Sequence, residues 1–267
     1  MAAYITSAKN PRIRDAIRLR DAQHRRKQGR ILIDGVREIS RALAAGIVPA
    51  ELYFCESLCQ TSAAGDLLLR AEAQGAEMIR VAEPVLEKLA FGNRTEGMVA
   101  VAPTPDAGLA GLSPPGGALI AVLEGVEKPG NVGAVLRSAD AAGLSAVIVA
   151  DGGTDLFNPN AIRASLGTIF TVPVAEATSE ETLRWLNERK FTIFAARVDG
   201  AVLYTEADYT GSSAVVFGSE SKGLSDLWAS GRVQAVRLPM LGAADSLNVS
   251  VTAAVIFYEA IRQRGEV

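Results

Sequence analysis

The residues best placed for chemistry lie near the C-terminal end, in the stretch Pro239-Met-Leu-Gly-Ala-Ala-Asp-Ser-Leu-Asn-Val-Ser-Val251. Ser246, Asn248 and Ser250 alternate there with Leu247, Val249 and Val251, at the mouth of a helix that carries no charge until Glu259. Such a helix reads as buried, with its N-terminus facing a cavity, and buried hydroxyl and amide groups need partners. Ser246 reads as the N-cap. Capping leaves Asn248 unexplained, so a ligand or a second backbone segment is expected beside it. Two more loops follow apolar strands. In Leu123–Arg137, Asn131 reads as a helix cap, Gly130 and Gly133 permit close backbone approach, and Arg137 follows six residues after Asn131. In Val216–Ser225 a strand ends at Gly218, which opens backbone groups to a ligand, with Glu220 close by. The spacings of a P-loop and of G-x-G-x-x-G are absent. The single histidine, His24, lies in a basic N-terminal segment. That removes His-based triads, multi-His metal sites and a His general base from the body of the protein. No metal is expected, and any catalysis must use other groups.

These loops need an open sheet to hold them. Short unbroken apolar runs at Ala118–Leu123, Ala146–Ala150, Phe191–Ala196 and Ala214–Phe217 predict strands buried on both faces, as in a parallel sheet. Shorter strands are expected near Thr171 and Val236. Helices fit Val132–Ala142, Ser179–Arg189 and Leu247–Arg264. Ligands of such a sheet gather at the C-terminal ends of its strands. The first hundred residues also alternate. Pro11, with Asn10 as cap, opens a helix predicted to run through Arg26. Strands are expected at Arg30–Asp34, Glu51–Cys55, Met78–Val81 and Met98–Ala102, with helices at Val36–Ala45, Ala63–Gln74 and Pro84–Leu89. The Pro- and Gly-rich Pro103–Gly117 reads as a linker. The expected organisation is a small α/β domain over 1–103, a linker over 104–117 and an open α/β domain over 118–267.

Charge is uneven along the chain. Residues 1–41 hold eleven Lys/Arg and four Asp/Glu, a local +7, which leaves −10 on the remainder of a chain whose net charge is −3. A basic arm on an acidic body suggests a polyanionic partner met through one end. Arg12, Arg18, Arg25 and Arg26 are the expected exposed cations of that arm. Cys55 and Cys59 are too few for a disulfide framework and lack C-x-x-C spacing, so both are read as reduced structural thiols. No apolar run reaches the ~18 residues of a membrane span, and the expected compartment is the cytoplasm.

Together the three loops resemble the SpoU/TrmH group of RNA ribose 2′-O-methyltransferases, of the SPOUT class. The matching motifs are Asn131-x-Gly-x-x-x-Arg137, Phe217-Gly-x-Glu220-x-x-Gly223 and Pro239-Met-x-Gly-x-x-x-Ser-Leu-Asn-Val-Ser250. They agree in order and spacing over 118–267. Ser7-Ala-Lys-Asn-Pro-Arg12, the basic helix and Ile31-Leu-Ile-Asp-Gly35 resemble the substrate-binding domain of members that act on large-subunit ribosomal RNA, with Asp34 where that family usually has Glu. The resemblance implies an α/β-knot domain with a mainly parallel sheet and a deep trefoil knot whose loops bind S-adenosyl-L-methionine, preceded by a small α/β RNA-binding domain. It implies a homodimer formed through the C-terminal domain. It places Gly218, Leu238, Met240 and Leu247 on the cofactor and Arg137, Asn131, Glu220, Ser246 and Asn248 in the catalytic network. Arg163 is a further candidate phosphate contact. The implied reaction is methyl transfer to a ribose 2′-hydroxyl, most plausibly in 23S ribosomal RNA. Transfer-RNA methylation and a non-catalytic RNA-binding protein of the same fold stand as alternatives.

Overall fold

A computed structural model describes residues 3–91, 96–229 and 231–265. The chain forms two compact units, Met1–Pro105 with Phe157–Thr171, and Asp106–Leu156 with Val172–Val267. Residues 157–171, expected in the second domain, therefore pack with the first.

The first unit is built on a sheet of five strands, β1 (Ala3–Ile5), β2 (Arg30–Asp34), β3 (Glu51–Phe54), β4 (Glu77–Val81) and β5 (Met98–Pro103), in the order β1-β4-β3-β5-β2. β1, β4 and β3 run parallel, while β5 runs antiparallel to both β3 and β2. Helices α1 (Pro11–Arg18) and α5 (Glu83–Leu89) share one core with this sheet, where Ile13, Leu19, Leu32, Tyr53, Leu89 and Val99 have no solvent exposure. Helices α3 (Val36–Ala44), α4 (Ser62–Ala73) and α7 (Pro159–Ala164) complete the unit, with α3 and α7 both against β2.

The long N-terminal helix is two helices. α1 stops at Leu19, and Asp21 caps α2 (Ala22–Gln28) by accepting from the backbone N–H of Gln23 (2.8 Å) and His24 (3.3 Å). A side chain that captures the next amides offers the backbone an alternative to continuing the helix. The break puts the carbonyls of Leu19 and Arg20 in the turn between the two helices. Arg25 caps them: its guanidinium donates to the carbonyls of Leu19 (2.7 Å) and Arg20 (2.8 Å), and the residue is 2% exposed.

The second unit carries seven strands, all parallel. They are β6 (Leu119–Glu124), β7 (Ala146–Ala150), β8 (Val174–Ala177), β9 (Thr192–Ala196), β10 (Val202–Leu203), β11 (Ser213–Phe217) and β12 (Val233–Arg237), in the order β10-β12-β9-β11-β6-β7-β8. Every residue of β6, β7 and β11 is buried, as their unbroken apolar runs require. α8 (Ser179–Glu188) brings Trp185 and Leu186 to one face. On the other face α6 (Pro129–Ala141) packs with α9 (Val249–Arg264), and Phe257 meets Phe217 edge-on at 5.8 Å between ring centroids. β11 enters the sheet between β6 and β9 although it follows both in sequence. The loops after β6, β9, β11 and β12, neighbouring strands, thus leave the same edge of the sheet. The expected linker is only partly irregular: it contains a short 3₁₀ turn at Leu109–Gly111, and from Asp106 it belongs to the second unit.

Candidate active site

A cavity of about 620 Å³ opens where the loops after β9, β11 and β12 meet. Gly218, Glu220, Leu238, Met240, Ser246, Leu247 and Asn248, singled out from sequence, all line it. Its wall after β11 is a tight turn. An added Cβ at Gly218 would lie 2.2 Å from the carbonyl carbon of Gly223, so only glycine lets the two backbones meet. Gly223 itself sits at φ +67° and donates to the Ser219 carbonyl at 3.0 Å. Gly200 presses on the end of β12 in the same way, with a Cβ position 2.6 Å from the Val236 carbonyl carbon.

The caps differ from expectation. Lys128 is the N-cap of α6 and makes no side-chain capping bond; Pro129 occupies the first turn, and Asn131 lies inside the helix. Freed from capping, the Asn131 amide donates to Glu220 and accepts from Asn248 Nδ2 at 3.3 Å. Asn248, not Ser246, caps α9: its Oδ1 accepts from the Ser250 backbone N–H (2.9 Å) and hydroxyl (2.7 Å). One side of the Asn248 amide therefore caps a helix while the other joins the first motif to the third. Ser246 is exposed and makes no hydrogen bond among the described residues. Arg137 is exposed on α6, outside the cavity wall, and has no hydrogen bond or ion pair among the described residues.

The proposed RNA contacts are placed unevenly. Arg18 and Arg26 are exposed, Arg18 with Asp15 at 3.1 Å. Arg12 is held by Glu77 and Glu51, and its pKa is raised chiefly by the Glu77 bonds. Arg25 is the buried cap described above. Arg163 is half-buried in the first unit, donating to the Phe91 carbonyl at 2.6 Å, while Asp34 accepts from the Phe91 backbone N–H at 2.6 Å. Burial pushes the Asp34 carboxyl up to about 6, opposed by the Phe91 N–H and Arg163.

Sequence reasoning passed over Glu124 and the pair Arg197–Asp199. Glu124, the last residue of β6, is 6% exposed and sits behind the cavity wall. Its signal was a carboxylate closing an otherwise apolar buried strand. Arg197 and Asp199 line the cavity and form a two-point ion pair (2.9 and 3.0 Å) that holds the Asp199 carboxyl below the usual range.

The cavity suits a cofactor with an adenine ring and a sulfonium. Its volume lies within the ~300–1,000 Å³ of small-molecule sites. Phe217, Leu224, Val236, Leu238 and Met240 supply apolar wall, and the bare backbone at Gly218 supplies donors and acceptors without side chains. No group of His, Cys, Asp and Glu able to hold a metal occurs among the described residues.

Fold and cavity define an open parallel α/β domain with a small-molecule cavity at the C-terminal ends of its strands. Residues 118–258 match the SpoU rRNA Methylase family, and residues 10–100 match the MRM3-like substrate binding domain. The chain belongs to the SpoU rRNA methylase family, and its second unit has that family's α/β-knot fold. It is 38% identical over 203 residues to the 23S rRNA (guanosine-2′-O-)-methyltransferase RlmB of Bordetella pertussis, covering 74% of this chain and 82% of that one. A crystal structure of an RNA 2′-O ribose methyltransferase superimposes with a TM-score of 0.85 at 42% identity, covering 98% of this chain and 99% of that one. An S-adenosylmethionine-bound rRNA methyltransferase from Sinorhizobium meliloti does so with a TM-score of 0.89 at 27% identity, covering 98% of each chain.

Proposed function

We propose that the protein methylates a ribose 2′-hydroxyl of 23S ribosomal RNA, using S-adenosyl-L-methionine. The observation that carries this is the Asn131–Glu220–Asn248 network: it joins all three motifs at the rim of one cavity. S-Adenosylmethionine supplies an activated methyl group when bound. Gly218, Leu238, Met240 and Leu247 would hold it.

The chain's own task is alignment of the nucleophile and disposal of its proton. Arg137 and Ser246, both exposed and without a partner among the described residues, are the groups left to meet the ribose and its phosphate. We assign Arg137 an orienting role. A guanidinium neutralised at pH 7 costs about 9 kcal/mol, and a phosphate beside it raises that cost. Asn131, Glu220 and Asn248 fix the rim against which the hydroxyl is presented, and the proton leaves late through water.

RNA contact through the first unit falls to the exposed cations of α1 and α2, Arg14, Arg18, Arg26 and Lys27. A homodimer through the second unit is supported by exposed apolar residues along α9. Val251 and Tyr258, two turns apart, are 49% and 52% exposed, and Leu247 just before them is 42% exposed. A ribosomal RNA substrate supports a cytoplasmic location. No helix among the described residues is long and apolar enough to cross a membrane.

The test is incubation with 23S ribosomal RNA and methyl-labelled cofactor, followed by mapping. A single 2′-O-methylated ribose is expected. Label on a base, or none on any RNA despite cofactor binding, overturns the reading, and the latter result favours a non-catalytic RNA-binding protein.

A further inference from the structure

Glu124 is a carboxyl group taken out of water without a cationic partner among the described residues. Four donors converge on it instead. Oε1 accepts from the Ser179 hydroxyl (2.9 Å), the Ser225 hydroxyl (2.7 Å) and the Trp228 indole N–H (2.7 Å), and Oε2 accepts from the Ser225 backbone N–H (2.8 Å). Hydrogen bonds to an ionised acceptor are about twice as strong as neutral ones. Only an acceptor on both oxygens satisfies this donor set.

The donors come from two places. Ser179 opens α8, on the far side of β7 from the cavity loops, and is itself fixed by Asp151, which accepts its backbone N–H at 2.9 Å. Ser225 and Trp228 end the loop that begins at Gly218. That loop is closed at its start by the Gly218–Gly223 contact and by the Lys222 N–H to the Ser219 hydroxyl at 3.1 Å. Between these anchors lie Gly218, Ser219, Glu220, Lys222, Gly223 and Leu224, all in the cavity wall. Ser225 and Glu124 form the far anchor, and neither lines the cavity.

We propose that Glu124 is a positioning residue for cofactor binding: by gripping Ser225 and Trp228 it holds the Gly218–Leu224 wall in its binding shape. A loop pinned at both ends has already lost the conformational freedom that binding would otherwise remove. The inference rests on the proposed use of S-adenosylmethionine.

The experiment compares full-length wild type with Glu124→Gln, Ser225→Ala and Ser179→Ala. Cofactor affinity is measured by calorimetry, RNA affinity by filter binding, and stability by melting. In Glu124→Gln the amide must face either the Ser225 backbone N–H or the hydroxyl and indole donors, so one anchor is broken in either orientation with shape nearly unchanged. The expected result is cofactor binding weakened about tenfold, with KM for the cofactor raised more than kcat is lowered and RNA affinity unchanged. Ser225→Ala weakens it about threefold. Ser179→Ala lowers the melting temperature as much as Ser225→Ala does, yet keeps wild-type cofactor affinity. The indole N–H resonance of Trp228, read in a Trp185→Phe background, moves upfield in Glu124→Gln and stays put in Ser179→Ala. Wild-type affinity in folded Glu124→Gln overturns the proposal, as does an equal loss in Ser179→Ala. Failure of the wild type to bind S-adenosylmethionine overturns both this inference and the functional reading beneath it, whereas the variant results strike the inference alone.

Discussion

Two helix ends in this molecule carry the same kinds of side chain to opposite effect. At the α1–α2 break, Asn10 and Asp21 cap their helices and Arg25 closes the carbonyls of the turn. Arg20 does the same for α5, donating to the carbonyls of Lys88, Leu89 and Ala90. Every one of these side chains is directed at the chain itself. At the mouth of α9, Asn248 caps its helix and still reaches Asn131 of α6, while Ser246 beside it and Arg137, farther along α6, reach nothing among the described residues. An arginine whose fork is filled by its own backbone is structure, however basic its neighbourhood; one left exposed and unfilled is available to a substrate. Counting charges along the sequence does not separate the two.

Substitutions can break this contrast, beginning with the largest effect. Arg137→Ala is expected to lower methyl transfer at least ~100-fold, the scale of losing a transition-state hydrogen-bond donor, with melting temperature and cofactor affinity unchanged. Near-normal turnover would show that an unfilled arginine here is merely solvated. Gly218→Ala should abolish cofactor binding and destabilise by ~1–3 kcal/mol, because its Cβ meets the Gly223 backbone rather than a movable side chain; calorimetry and thermal melts read both effects. Arg25→Ala, the counterpart of Arg137→Ala, should cost about 3 kcal/mol through two orphaned carbonyls and a lost buried stem. It should leave the salt dependence of RNA binding intact, and a changed slope would return Arg25 to the RNA face.

Asp34 sharpens the inward-facing side of the comparison. Its folded pKa, about 6, lies above its ordinary value of 3.8. Its contribution to stability is therefore fully present below about pH 4 and lost as pH rises through about 6. Asp34→Asn keeps an acceptor for the Phe91 N–H and should flatten that slope, gaining ~2 kcal/mol over wild type above pH 6. Melts between pH 4 and 8 test the sign: a variant that tracks wild type at every pH removes Asp34 from the account. The smallest effect is expected from Arg26→Gln, which should leave the melt unchanged and reduce the slope of log affinity against log salt by less than about one.

Much of the fold was legible because buried parallel strands write themselves as apolar runs. Ala146–Ala150 is the whole of β7, and Ser213–Phe217 differs from its expected span by one residue. The cavity lining was legible for a different reason: Gly218, Leu238, Met240 and Leu247 are spaced from motif landmarks, and all four reach one cavity. The helix caps were misread in a consistent way. Ser246 and Asn131 each look like caps locally, yet Asn248 and Lys128 hold those positions. A cap depends on where the chain turns into the helix, and packing against the sheet decides that. The N-terminal helix was drawn too long because Asp21 is as compatible with a helix surface as with a cap.

The sequence by itself determined which groups exist to do chemistry. One histidine and three loops of Asn, Glu, Ser and Arg point to an alignment mechanism. It also determined the strands, since an apolar run has nowhere to go but a core. Tertiary structure alone decided which of those groups are free. Arg25 and Arg137 are the same residue on similar helices, and the difference between them is the position of two carbonyls six and five residues earlier in the chain. Glu124 is the converse case: its donors lie 55 to 104 residues away. No local pattern encodes a hydrogen bond whose partner arrives only when the sheet closes.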